Sequence, residues 1–164
     1  MRKPKSRLTR AAATIGAVVL MASGAAVVGA PAASAGGCTG GYLCGAVKNR
    51  TGRTMSYVTK DLGTGSGRCD VWNWNNGNGG NVESFKGVNC DQLGMGNGTA
   101  GGNGTGVDVD GFSFNGQGYH ERFGRLGTWH WRVKGVWTKV SNGWFADCGI
   151  GDGNEIWCTL LVQA

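Results

Sequence analysis

Six cysteines, Cys38, Cys44, Cys69, Cys90, Cys148 and Cys158, constrain this chain more than any other feature. All of them follow residue 35, where the sequence contains no proline at all. An even set of cysteines in so short a stretch reads as a disulfide framework, and three disulfides are expected. A structural zinc site fits poorly, because no two cysteines stand as C-x2-C and the chain has only 2 histidines. Six paired thiols would also leave no cysteine nucleophile. Several pairings are formally open, and the sequential set 38–44, 69–90 and 148–158 is the expectation. Cys148 and Cys158 flank the run Gly149-Ile150-Gly151-Asp152-Gly153-Asn154. A hairpin there would bring their Cβ atoms to the ~4 Å a disulfide needs, and closing it contributes about 2–3 kcal/mol.

The segment ahead of the cysteines reads as an address. Residues 1–10 carry Arg2, Lys3, Lys5, Arg7 and Arg10 and no acid. An apolar run from Ala11 to Ala30 follows, broken by Gly16, Gly24 and Gly29, then Pro31-Ala32-Ala33-Ser34-Ala35. Ala33 and Ala35 stand in the small-x-small arrangement of a signal-peptidase site, so residues 1–35 are expected to be a secretory signal peptide cut between Ala35 and Gly36. A retained membrane anchor is the rival, since the apolar run is long, but the glycines and the cleavage site weigh against it. No adjacent arginine pair marks a twin-arginine signal. Removal of this segment takes five of the 16 basic residues and none of the 10 acids, so the formal charge falls from +6 to +1. Bulk charge then gives no reason to expect a nucleic acid as partner. The expectation is an extracellular protein, residues 36–164, with no membrane attachment after cleavage.

Turn chemistry sets the fold class. Of the 33 glycines, 30 lie after residue 35, and Asn-Gly steps recur at 76–77, 78–79, 97–98, 103–104, 115–116 and 142–143. Asn and Gly tolerate the positive φ that tight hairpin turns require, and no helical apolar period appears. This predicts a single all-β domain, a small compact sandwich or barrel built of hairpins. Short strands are expected over 42–47, 53–59 and 71–74, and a hairpin of 107–114 with 119–123. In Trp129-His130-Trp131-Arg132-Val133-Lys134 the alternation places Trp129, Trp131 and Val133 on one sheet face and His130, Arg132 and Lys134 on the other. Gly135 reads as a bulge where the phase shifts before Val136, Thr138 and Val140. Ser141-Asn142-Gly143 then leads into a closing hairpin whose second strand covers 155–162. The run Gly94–Gly106, rich in Gly, Asn and Thr, reads as a mobile surface loop.

No complete catalytic constellation emerges. None of Ser56, Ser66, Ser84, Ser113 and Ser141 sits in G-x-S-x-G. Tyr119-His120-Glu121-Arg122 resembles the Tyr-His-Glu strand of guanyl-type ribonucleases, and with His130 and Arg132 it supplies the residue types of a nuclease. Yet no histidine follows His130, and neighbours on a strand point to opposite faces. Asp108 and Asp110 share a face of one expected strand, which invites glycoside hydrolysis. Calcium is a further candidate, at Asp108-Val109-Asp110-Gly111 and at Asp152-Gly153-Asn154-Glu155. The spacing matches no calcium loop, and Asx turns explain both segments. No catalytic residue, metal or cofactor is therefore assigned. The seven tryptophans are expected to be mostly core. The candidate binding surface is His130, Arg132 and Lys134 with Trp72 and Trp74.

The start Gly36-Gly37-Cys38, the stretches Gly41–Asn49, Arg68–Trp74 and Gly151–Glu155, and the six-cysteine, proline-free β pattern resemble small secreted proteins of Streptomyces. Among these the chain is similar to the adaptor component of umbrella toxin particles. That resemblance implies a non-catalytic protein that bridges a lectin-bearing subunit to the repeat-containing core of an exported antibacterial toxin. Its partners would be other secreted proteins. The alternatives are a small hydrolase or ribonuclease toxin, and a carbohydrate-binding or protease-inhibitor module.

Overall fold

The computed structural model describes Cys38 and residues 43–75, 78–79 and 86–164. The expected signal peptide, its cleavage site at Ala35 and Gly36, Tyr42 and the Asn76-Gly77 step lie outside the described residues. Among the described residues the chain forms β1 (Ala46–Asn49), β2 (Met55–Val58), β3 (Gly67–Val71), β4 (Trp74–Asn75), β5 (Asn78–Gly79), β6 (Lys86–Cys90) and β7 (Gln92–Met95). There follow β8 (Gly98–Gly101), β9 (Gly111–Ser113), β10 (Tyr119–Phe123), β11 (His130–Arg132), β12 (Val136–Lys139), β13 (Trp144–Ile150) and β14 (Ile156–Val162). The only helical piece among these residues is a single 3-10 turn at Asp152–Asn154.

Two six-stranded sheets make a β-sandwich, the all-β architecture expected from the turn chemistry. Sheet A runs in the order β11-β10-β14-β13-β1-β8 and sheet B in the order β6-β3-β12-β9-β2-β7, with β4 and β5 forming a small ribbon. Parallel pairs, β1 with β13, β10 with β14 and β3 with β12, are set among antiparallel ones. The frame of sheet A is the β13–β14 hairpin, in register from Trp144 opposite Val162 to Ile150 opposite Ile156. Its period of two is plain: Ala146, Cys148, Ile156, Cys158 and Leu160 face the core. Asp147, Gly149, Trp157, Thr159 and Leu161 alternate with them. Cys148 and Cys158 are direct cross-strand partners and are bonded, as are Cys38 with Cys44 and Cys69 with Cys90. The pairing is the sequential one.

The central strands of sheet B are covered on both faces, so β12 and β9 are buried along their whole length. Met55, Phe112 and Phe114 join the sandwich core with Val47, Tyr119 and the inward residues of β13 and β14. Val58, Leu62, Val71, Val88 and Trp137 form a second cluster around the Cys69–Cys90 disulfide, and Trp74 packs against it. A ring of polar contacts ties the two sheets together. Tyr119 on β10 reaches Thr138 Oγ1 on β12 at 2.8 Å, and Trp72 Nε1 donates to the same oxygen at 3.0 Å. The Arg132 guanidinium lies 3.6 Å over the Trp72 ring, and Arg132 Nη2 donates to Glu121 Oε1, back on β10.

Four local expectations are corrected. The run 94–106 is no loop throughout: it contributes to β7 and contains β8, which carry the chain from the β2 edge of sheet B to the β1 edge of sheet A. Glycine is needed on that path, because Gly101 has φ +72 and a Cβ there would meet Gly45 O at 2.5 Å. Residues 107–114 and 119–123 do not form a hairpin, since β9 lies in sheet B and β10 in sheet A. Gly135, at φ +78, is not a bulge within a strand. It marks the crossing from β11 in sheet A to β12 in sheet B, and that crossing is the physical cause of the phase shift. Asp108 and Asp110 lie ahead of β9 and not on a strand, and both are buried: Asp108 Oδ1 accepts from Gly45 N–H, and Asp110 faces Lys139.

Candidate functional site

The proposed basic patch does not hold as one surface. Trp131, half exposed at 49 %, and Val133 point outward, while Arg132 is only 6 % exposed and is drawn inside by Glu121. His130 and Lys134 remain exposed. Trp72 is buried in the inter-sheet ring, and Trp74 packs on the second cluster beneath Lys139, whose ammonium lies 5.5 Å from its ring. The inversion has a clear cause. A charge on a β face can be buried when an opposite charge stands on the neighbouring strand, and Tyr119 opposite Arg132 sets Glu121 within reach.

The residues brought together on the solvent side are different ones. Alternation along β10 and β14 puts His120, Arg122, Trp157 and Thr159 on the outer face of sheet A, and the β10–β11 connection adds Arg125 and Trp129. His120 stacks on Trp157 with centroids 4.0 Å apart and rings 14° from parallel. On its other side it meets Trp131 at 4.8 Å. Trp129 meets the edge of Trp157 at 4.8 Å, and the Arg122 guanidinium caps Trp129 at 4.3 Å. The result is a ladder, Trp131–His120–Trp157–Trp129–Arg122, built across three strands and a loop. Two glycines seat it: a Cβ on Gly118 would come within 2.3 Å of Trp131, and one on Gly151 within 2.5 Å of Trp157.

Beside the ladder lies an open groove of about 450 Å³, lined by Arg50, Arg122, Arg125, Trp129, Asp147 and Trp157 among others. Arg50 pairs with Asp147 Oδ2 at 2.7 Å, and Arg122 Nε donates to Thr159 Oγ1 at 3.3 Å. The Trp157 indole N–H and Asp147 Oδ1 are buried without a hydrogen-bond partner among the described residues. The expectation that most tryptophans are core, with Trp72 and Trp74 as the exposed ones, hides the outward placement of Trp129, Trp131 and Trp157. The usable signal was the cystine: with Cys158 inward, Trp157 must face outward, and its parallel neighbour His120 with it.

The nuclease residues are separated as strand geometry demands. His120 Nε2 lies 2.8 Å from Glu155 Oε2 on the outer face, while Glu121 is fully buried in its pair with Arg132. A second concavity, lined by Asp61, Leu62, Gly63, Thr64, Asp110 and Lys139, opens on the sheet B side. Burial there pushes the Asp110 carboxyl up to about 7, against the pull of Lys139 at 3.8 Å. Among the described residues no three His, Cys, Asp or Glu side chains are grouped to hold a metal ion. No helix among them is long and apolar enough to cross a membrane. Comparison with protein-family models, curated proteins and solved structures returned no match.

Proposed function

We propose that this chain is a secreted, non-enzymatic binding protein, an adaptor that joins other exported proteins through the outer face of sheet A. The observation that carries this reading is the ladder Trp131–His120–Trp157–Trp129–Arg122, with the groove at its side. Aromatic and arginine side chains are the residue types that supply most interface energy, and here their mutual stacking holds them in place before any partner arrives. Three disulfides suit an exported scaffold, because an oxidising compartment lets a glycine-rich chain hold such a surface rigid. The likeness to umbrella-particle adaptors names the partners to try first, a lectin-bearing subunit and a repeat-containing toxin core. A nuclease reading gains no support from a histidine and a glutamate on opposite faces of one strand.

The test is affinity purification of the tagged protein from culture medium, beside Trp131→Ala and Arg122→Ala forms. A stoichiometric partner held by the parent and lost from the variants supports the adaptor. A parent that elutes alone as a monomer contradicts it.

A further inference from the structure

The groove beside the ladder has a marked chemical bias. Three guanidiniums and one carboxylate line it, and the carboxylate, Asp147, already has one oxygen on Arg50. Arg122 is held by Trp129 and by Thr159 through its Nε, and its terminal nitrogens make no hydrogen bond among the described residues. Arg125 has no acceptor among the described residues, and the indole N–H of Trp157 is buried in the same wall without one. Donors outnumber acceptors. A guanidinium stacked on an aromatic ring is pre-organised for a planar carboxylate.

We propose that this groove is a carboxylate-recognition site that takes an acidic segment of the partner protein. Arg122 and Arg125 would hold the carboxylate. The ring faces favour a polypeptide over an acidic sugar. A sugar ring stacks on an open indole face, and one face of each groove indole is already taken, Trp157 by His120 and Trp129 by Arg122. An apolar rim suits a peptide too: Ile150 lines the groove at 42 % exposure, and Leu126, next to Arg125, is fully exposed. Gly149 keeps the groove open, since it is the cross-strand neighbour of Trp157 and a Cβ there would touch nothing within 4 Å.

This inference rests on the binding-protein reading, and the experiment separates the two. The disulfide-intact protein is titrated into a fluorescent peptide of alternating glutamate and leucine, with its glutamine counterpart and an oligogalacturonate as competitors. The expected result is binding that weakens at higher salt and drops at least about tenfold in Arg122→Ala/Arg125→Ala and in Gly149→Val. The valine adds bulk at an open strand position, so it carries the test if the arginine variant fails to fold. Neither competitor should displace the peptide. Equal binding by Gly149→Val, displacement by either competitor, or no binding at ~1 mM peptide overturns the carboxylate site. If the native partner still co-purifies with both variants, only this inference falls; a chain that forms no complex at all removes the adaptor reading with it.

Discussion

Glu121 and Arg132 meet across adjacent strands of one sheet, with Arg132 Nη2 3.0 Å from Glu121 Oε1 and both side chains inside the protein. This pair turns the β10–β11 edge over, placing Trp131 in solvent and Arg132 over Trp72. Removing one partner strands a buried charge. Glu121→Ala or Arg132→Ala should therefore destabilise the fold by about 3–5 kcal/mol. Replacing both at once with Leu and Met should recover much of that loss. Urea unfolding of the two single variants and the double variant measures it.

Asp110 makes stability depend on pH. Burial raises its carboxyl from 3.8 to about 7, with Asp108 and Asp61 adding to the rise and Lys139 opposing it. Between those values the native chain keeps a proton that the unfolded chain has lost. Stability therefore falls as pH rises across this window, by up to ~1.4 kcal/mol per pH unit from this group. Asp110→Asn should be increasingly more stable than the parent from about pH 4 to 7, then by a constant margin above. Asp108, also raised by burial, leaves a residual slope in the variant. Urea midpoints in steps of about one pH unit check the sign.

Gly101 and Gly104 separate two costs of losing a glycine. Both have positive φ, +72 and +78, but only at Gly101 would a Cβ collide with backbone, at Gly45 O. Gly104→Ala should cost about 1–2 kcal/mol from backbone strain alone. Gly101→Ala should cost clearly more, because β8 must move off β1. Thermal unfolding of the two variants in parallel decides it.

The disulfides should not contribute equally. Cys69–Cys90 spans 21 residues and Cys38–Cys44 spans 6. Chain entropy alone makes the longer link worth about 1 kcal/mol more. The Cys69–Cys90 link is also the centre of the second apolar cluster, so its alanine pair leaves a cavity as well. Paired Cys→Ala variants compared by denaturant unfolding should rank in that order.

Much of the architecture was legible because it is local. Asn-Gly steps and period-two alternation announce hairpins, and Cys148 opposite Cys158 follows from the turn between them. What could not be read was which strands share a sheet. The chain passes between sheets after β1, β7, β8, β9, β11 and β12, and a turn that changes sheets looks in sequence like one that does not. The same ambiguity hid the site. His130-Trp131-Arg132 alternates correctly, but the face that turns inward is decided by Glu121, eleven residues away on the next strand. Trp157 and His120 meet only because β14 and β10 are parallel neighbours, a long-range pairing with no local signature.

On the binding-protein reading the partner sits on the outer face of sheet A. Hydroxyl-radical footprinting of the chain alone and in its native complex tests it most directly, since half-exposed indoles oxidise in proportion to their contact with water. Trp131 and Leu126 should lose most of their oxidation in the complex while Leu93, exposed on β7 of sheet B, keeps its own. Protection of Leu93 with Trp131 and Leu126 unchanged would contradict it.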